Sequence, residues 1–201
     1  MKTQTIAAFD FDGTITTRDT FLAFLVRAFG KPKLYGALFR LSGEALQVWL
    51  GHASRDRFKA LLIGRLFPGQ SVAELKRIGA EHAAVIASWC RPGALERIRW
   101  HKEAGHRLVM VSASLSFYLE SIAAQLGFDD LLCTELAASE DVCTGALQGE
   151  NCRAAEKVRR LQSLLGALDD YEIYAYGDSD GDTEMLAAAD HPAFRPFRAL
   201  P

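Results

Sequence analysis

This chain of 201 residues is poor in cysteine and proline and carries almost no net charge. Its four cysteines, Cys90, Cys133, Cys143 and Cys152, have no CxxC or HxxxC spacing. That argues against a zinc or redox site and for reduced thiols in a cytoplasmic protein. Its 23 Lys and Arg against 25 Asp and Glu give a net charge of -2, which gives no sign of the basic excess a nucleic-acid partner calls for. No apolar run approaches the roughly 20 residues of a membrane span, and the first residues run directly into a strand-like segment with no signal peptide. There is no internal repeat and no low-complexity tract. What remains is an ordinary globular composition, 49% hydrophobic and 24% charged. A chain of this length can bury about 70% of its unfolded surface, so folding needs no disulfide or metal staple.

Three short apolar runs end abruptly in polar residues. Ile6-Ala7-Ala8-Phe9 stops at Asp10; Arg107 to Val111 is left through Ser112-Ala113-Ser114; Tyr171 to Tyr176 is left through Gly177-Asp178. Helical periodicity fills Gly93 to Ala104, Phe117 to Leu126 and Glu156 to Leu165. Strands alternating with helices of this length predict a parallel sheet built from βαβ units. The interval 17–91 breaks the alternation. Its apolar residues recur at helical spacing from Phe21 to Leu66, with breaks at Gly30-Lys31-Pro32 and Phe67-Pro68-Gly69. The expectation is an α/β protein, a Rossmann-like doubly wound parallel sheet (residues 1–16 and 92–201) with a helical bundle (17–91) inserted after the first strand. The bundle's aromatic and leucine positions are expected in its core, a lipid-facing surface being the sharper alternative.

In an open parallel sheet, ligands bind outside the carboxyl ends of the strands, so three distant termini are expected to converge. In Asp10-Phe11-Asp12-Gly13-Thr14, residues two apart in an extended segment point the same way. Asp10 is suited to covalent attack on phosphorus, because a carboxylate is ionised at neutral pH. Asp12 is suited to protonating a leaving oxygen and then deprotonating water. The plainer alternative is an Asx turn. Gly177-Asp178-Ser179-Asp180-Gly181-Asp182 crowds three carboxylates into five residues, which repel unless a cation is near. Magnesium suits a few carboxylates plus phosphate oxygens; acids at a helix N-terminus are the alternative. Ser112 and the backbone at Ala113 offer donors for a phosphate oxygen, or an N-cap. Lys157 offers an ammonium to offset phosphoryl charge, or is an ordinary surface lysine.

These segments, Asp10 to Thr14, Val111 to Leu115, Cys152 to Val158 and Gly177 to Leu186, resemble the haloacid dehalogenase-like phosphatases, in the branch that includes the phosphoserine phosphatases. The resemblance implies Asp10 as nucleophile, Asp12 as acid and base, Ser112 and Lys157 on the phosphoryl group, and the helical insertion as a small cap. It also implies Mg2+ held by Asp10, the Asp12 backbone carbonyl and Asp178, with Asp182 supporting the metal's water shell. Members that act on haloacids lack the second aspartate, so Asp12 points to phosphoester hydrolysis. Relatives often carry glycine before the motif lysine where this chain has alanine, in Cys152-Arg153-Ala154-Ala155-Glu156-Lys157. The phosphoserine-specific members carry a glutamate at the place of Asp19 and a glycine pair at the place of Ala113-Ser114, so phosphoserine is not assigned.

The leading expectation is a Mg2+-dependent phosphomonoester hydrolase acting on a small phosphorylated metabolite. Arg18, Asp19, Arg57 and Lys59 are the expected substrate-facing residues of the insertion. The alternative is a phosphatidylglycerophosphate-type lipid phosphatase at the membrane surface, motivated by the aromatic and basic stretch Phe29 to Arg40. A phosphoaspartate signalling domain is the third reading, disfavoured because its acceptor would lie on the middle strand, where this chain has serines.

Overall fold

The computed structural model describes Lys2 and residues 4–198. The outermost residues of the expected core, Met1, Thr3, Ala199, Leu200 and Pro201, lie outside the described residues. In chain order the elements are β1 (Gln4–Phe9), α1 (Phe21–Arg40), α2 (Ser42–Trp49), α3 (Arg55–Leu66), α4 (Val72–Ile86), α5 (Pro92–Glu103), β2 (Arg107–Leu115), α6 (Ser116–Leu126), β3 (Asp130–Thr134), β4 (Leu136–Ser139), β5 (Val142–Leu147), α7 (Ala155–Leu165), β6 (Tyr171–Gly177), α8 (Thr183–Ala187) and β7 (His191–Phe194).

The three apolar runs become β1, β2 and β6, and these are buried on both faces. Ile6, Ala8, Val109, Val111, Ile173 and Ala175 pack under α7 and α8 through Leu161 and Met185. Ala7, Phe9, Leu108, Met110 and Tyr176 face the other way, against Ala94 and Ile98 of α5 and Tyr118, Leu119 and Ile122 of α6. Period-two alternation between two covered faces is why these strands read as continuous apolar runs. The sheet has the order β3-β2-β1-β6-β7, every pairing parallel. The chain winds outward from β1 through β2 to β3, then returns to β6 and β7 on the other side of β1. That reversal opens a crevice at the carboxyl ends of β1 and β6.

Two strands of the sheet and one hairpin were not expected. β3 is only five residues long, and β7 contains Pro192, which is tolerated because β7 lies at the sheet edge. The antiparallel β4–β5 pair turns through Glu140 and Asp141, both at positive φ (50° and 65°). That conformation is ordinarily announced by Asn or Gly, and neither is present.

Between β1 and α5 the chain forms four helices, as the periodicity of 17–91 predicts. The Gly30-Lys31-Pro32 break is a bend within α1, with Gly30 at φ 76°. Phe24, Leu25, Leu62, Leu66, Leu75 and Ala83 join the same core as the β1–β2 face. Burying each such side chain contributes about 1.5–3 kcal/mol, so the helices are welded to the sheet layer and are not tethered by linkers alone. The bundle departs from expectation at its outer end. Leu46, Trp49 and Leu50, read as core, are exposed, and α2 has no buried residue at all. The reason is topological: α2 is one short helix at the periphery, and no further layer covers it.

The closest helix approach is α4 on α6. A Cβ at Gly79 would lie 2.0 Å from the backbone oxygen of Phe117. Since that neighbour is backbone, Gly79→Ala forces the helices apart. We expect it to destabilise the protein by about 1–3 kcal/mol, the range for overpacking a core, measured by urea unfolding. An unchanged midpoint would show that α4 is not held by this contact.

Candidate active site

β1 ends at Phe9, and the ladder continues one step further, the Asp10 backbone N–H donating to the Tyr176 oxygen at 2.9 Å. Asp10 is still extended; Gly13 then turns the chain at φ 82°. A Cβ at Gly13 would sit 2.5 Å from Asp178 Oδ2, so glycine is required here by both conformation and space. The turn carries Asp10 and Asp12 into a cavity of about 600 Å3 at the crevice. The predicted residues Ser112, Ala113, Lys157, Asp178 and Asp182 line the same cavity. The three strand termini therefore meet, as the sheet topology requires.

At the cavity floor lies a buried charge cluster. Lys157 Nζ donates to Asp10 Oδ1 at 2.7 Å and to Asp182 Oδ1 at 2.6 Å. Asp182 Oδ2 accepts from the backbone N–H groups of Asp178 and Ser179 at 3.1 and 3.0 Å and from the Ser179 hydroxyl at 3.0 Å. Both Asp182 oxygens are thus taken by this chain's own donors, and Asp182 positions Lys157. Burial alone would lower the Lys157 pKa, but Asp10 and Asp182 outweigh it and hold the ammonium protonated. Burial also pushes Asp182 up, yet Lys157 and the backbone donors bring its carboxyl below the ordinary range. Two acids sharing one base leave a surplus of negative charge, and it falls on Asp10, whose carboxyl is lifted to about 7, chiefly by burial.

Asp10 Oδ2 and Thr14 Oγ1 are the buried side-chain polar atoms without a hydrogen-bond partner among the described residues. Carboxylate oxygens of Asp10, Asp178 and Asp182 lie within 4.8 Å of one another. An unpartnered carboxylate oxygen beside two further acids fits a hard divalent cation. Asp178 pairs with Arg198, and Arg195 Nε donates to its backbone oxygen at 2.9 Å. Burial raises Asp178 and the two arginines oppose it. Any cation held by Asp178 therefore shares that carboxylate with a guanidinium.

Asp12 is held differently. Its Oδ1 accepts from the backbone N–H of Thr20 at 2.6 Å and the Thr20 hydroxyl at 2.7 Å, and its Oδ2 accepts from the Ser114 hydroxyl. Burial, aided by the charge of Asp19, lifts Asp12 to about 6 against these donors. Thr20 was not singled out from the sequence, and Ser114 only as part of the Ser112-Ala113-Ser114 string. Ser112 Oγ accepts from the Ser114 N–H at 3.0 Å, which shapes the strand end as a cradle.

From the helical side, Arg18, Asp19 and Lys59 line the cavity as expected. Lys59 donates to the Ala113 backbone oxygen and to Asn151 Oδ1 at 2.6 Å, and burial lowers its pKa to about 8. Arg57 is a correction. It is exposed and lines a separate groove between α2 and α3. On α3, positions 55, 59 and 62 share the cavity face, and position 57 lies on the other side of the helix. Asn151, Asp56 and Arg153 also line the cavity. Asn151 Nδ2 donates to Asp56 Oδ1 at 2.6 Å, and Arg153 pairs with Asp180 at 2.8 Å. No spacing pattern in the sequence marks these three.

Residues 7–187 match the family model described as haloacid dehalogenase-like hydrolase. The protein CicA of Caulobacter vibrioides is 39% identical over 198 residues, covering 98% of this chain and 88% of CicA. A Bordetella pertussis Tohama I protein of unknown function superimposes with a TM-score of 0.79 at 27% identity, over 92% of this chain and 87% of that one. A substrate-bound phosphoserine phosphatase superimposes with a TM-score of 0.62 at 19% identity, over 94% and 84%, a likeness of fold alone.

Ala154, at φ 54° and ψ −130°, opens α7 and donates its N–H to the Gly181 oxygen at 2.8 Å. This backbone region strongly favours glycine and costs other residues about 1–3 kcal/mol. Ala154→Gly is expected to stabilise the protein by about 1 kcal/mol after glycine's own entropy is counted, raising the melting temperature by about 2–4 °C. A lowered melting temperature in calorimetry would refute strain at this position.

Proposed function

The chain belongs to the haloacid dehalogenase-like hydrolases, and from that premise we propose that it hydrolyses phosphomonoesters through a phosphoaspartate on Asp10. The observation that carries this is the buried cluster itself: Asp10 held by Lys157, with one carboxylate oxygen left unpartnered, facing Asp178 across a cavity lined by Asp12 and Ser112. An Asp10 oxygen attacks phosphorus as the ester P–O bond breaks, and Asp12 gives its proton to the leaving oxygen. Asp12 then takes a proton from water as that water attacks the phosphoaspartate and the Asp10–phosphorus bond breaks, freeing inorganic phosphate and restoring Asp10 as a carboxylate and Asp12 as its protonated acid. A pKa near 6 suits a group that must give and regain a proton within one cycle. Lys157 and the Ser112–Ala113 segment neutralise and orient the phosphoryl oxygens.

Mg2+ would be held by Asp10, Asp178 and the backbone carbonyl of Asp12, with Asp182 supporting it. When bound it supplies charge neutralisation for the phosphoryl group. The helices α1–α4 serve as the cap over the cavity. Arg18, Asp19 and Lys59 are its polar substrate-facing residues, and the substrate is a small phosphorylated metabolite. A second substrate class is favoured by the remaining cap wall. Phe21, Leu22, Phe58 and Leu62 give the cavity an apolar side, which suits a lipid phosphate.

Asp10→Asn is expected to lower turnover of p-nitrophenyl phosphate by at least about a thousandfold, while circular dichroism shows the same secondary structure and cooperative unfolding, Asp182 still holding Lys157. An active variant removes Asp10 from the nucleophile's role. EDTA is expected to abolish phosphate release and Mg2+ to restore it; turnover that survives chelation would sink the proposed metal site. A panel of phosphorylated metabolites beside phosphatidylglycerophosphate, read by phosphate release, separates the two substrate classes.

A further inference from the structure

The near-neutral total charge conceals a strong asymmetry. Between residues 21 and 70 there are eight Lys and Arg and only two acids, Glu44 and Asp56, a local net charge of +6 in a chain whose total is -2. Part of this charge surrounds the apolar residues that the fold leaves uncovered. On the second half of α1, Leu34, Ala37 and Leu41 point into the core. The opposite stripe carries Lys31, Tyr35 and Phe39 at i, i+4 spacing, with Lys33 and Arg40 on adjoining positions, and all five are exposed. Phe39 is 81% exposed and Tyr35 60%.

α2 continues this surface. Leu46, Trp49 and Leu50 are 54%, 80% and 51% exposed, and none of the eight residues of α2 is buried. α2 itself carries no Lys or Arg and one acid, Glu44. The basic residues come from the second half of α1, and only the two segments together pair exposed aromatics and leucines with lysines and an arginine, the pairing that suits a bilayer interface. A lone exposed leucine is unremarkable. Tyr35, Phe39, Leu46, Trp49 and Leu50 are five exposed large apolar residues on two consecutive helices and the residue that ends the second.

We propose that the outer face of α1 and α2 docks this protein on an anionic membrane surface, with Phe39 and Trp49 entering the interface and Lys31, Lys33 and Arg40 meeting lipid phosphates. Charge complementarity selects this occupant: a second copy of the chain would bring two like-charged faces together. The groove between α2 and α3 shares Phe58 with the catalytic cavity, so α2 stands next to the cavity's apolar wall. Docking itself does not rest on the proposed chemistry.

The test is co-sedimentation of the full chain with vesicles of phosphatidylcholine containing about one-third phosphatidylglycerol, against pure phosphatidylcholine vesicles. Binding is expected to the anionic vesicles only and to fall steeply as salt is raised. The triple variant K31E/K33E/R40E should bind roughly a hundredfold more weakly, each removed basic residue accounting for about 1 kcal/mol. F39S/W49S should lose binding while keeping p-nitrophenyl phosphate turnover unchanged. Retained vesicle binding by either variant would overturn the proposal. So would parent protein that ignores anionic vesicles at low salt, and so would a self-associated parent, or one bound to single-stranded nucleic acid, that leaves the vesicles bare.

Discussion

The structure turns on one ammonium buried between two carboxylates. Removing an unpaired charge from water costs several kcal/mol even after relaxation, so Lys157, 2% exposed, is tolerable only because Asp10 and Asp182 meet it at 2.7 and 2.6 Å. The same contact ties three remote segments together. Asp10 ends β1, Lys157 sits in the first turn of α7, and Asp182 lies in the turn before α8. Asp182 in turn is fixed by backbone donors at Asp178 and Ser179. The Lys157 contact serves the two acids unequally: burial outweighs Lys157 at Asp10 and lifts its carboxyl, whereas Lys157 and the backbone donors outweigh burial at Asp182 and lower it.

The sheet makes this convergence available. Its strand order reverses at β1, so the loops leaving β1 and β6 splay to either side of a crevice and the loop leaving β2 closes a third edge. Asp12 is then pulled toward the helical layer by Thr20 and Ser114. Lys59 reaches down from α3 to the Ala113 carbonyl. The helices are thus fastened to the strand ends by polar contacts at the cavity and by apolar packing of α4 on α6. The two carboxylates of the first motif, only two residues apart, end in different surroundings with different partners. That divergence suits the two roles proposed for them, one acting on phosphorus and the other carrying a proton.

How far the sequence was legible follows from the range of the forces involved. Burial on both faces imposes apolar runs, so β1, β2 and β6 were visible; helical spacing revealed α5, α6 and α7 and the helical character of 17–91, but not where α1 to α4 begin and end. Asp10, Asp12, Ser112 and Asp178 stood out as residue types suited to phosphate chemistry at or just past strand ends, and Lys157 and Asp182 with the help of the family resemblance; the structure brings all six to one cavity. β3 and β7 were hidden, one by its brevity and the other by Pro192. The β4–β5 hairpin was hidden because Glu140 and Asp141 adopt a turn that their identity does not advertise. Arg57 was misplaced because helical phase decides whether a residue faces the cavity, and polarity alone does not reveal phase.

By itself, the chain's sequence determined the sheet's central strands, a helical insertion between β1 and α5, the order of the acidic motifs and the family resemblance, all of which are written in local residue pattern. Only the tertiary structure decided that Asp182 holds Lys157, that Thr20, Ser114, Asn151 and Arg198 engage the site, and that α2 lies uncovered with Trp49 facing outward. Those facts depend on which surfaces meet across long stretches of chain. A hydrophobic pattern states that a face is to be buried, but it does not name the partner that buries it or reveal that the fold supplies none.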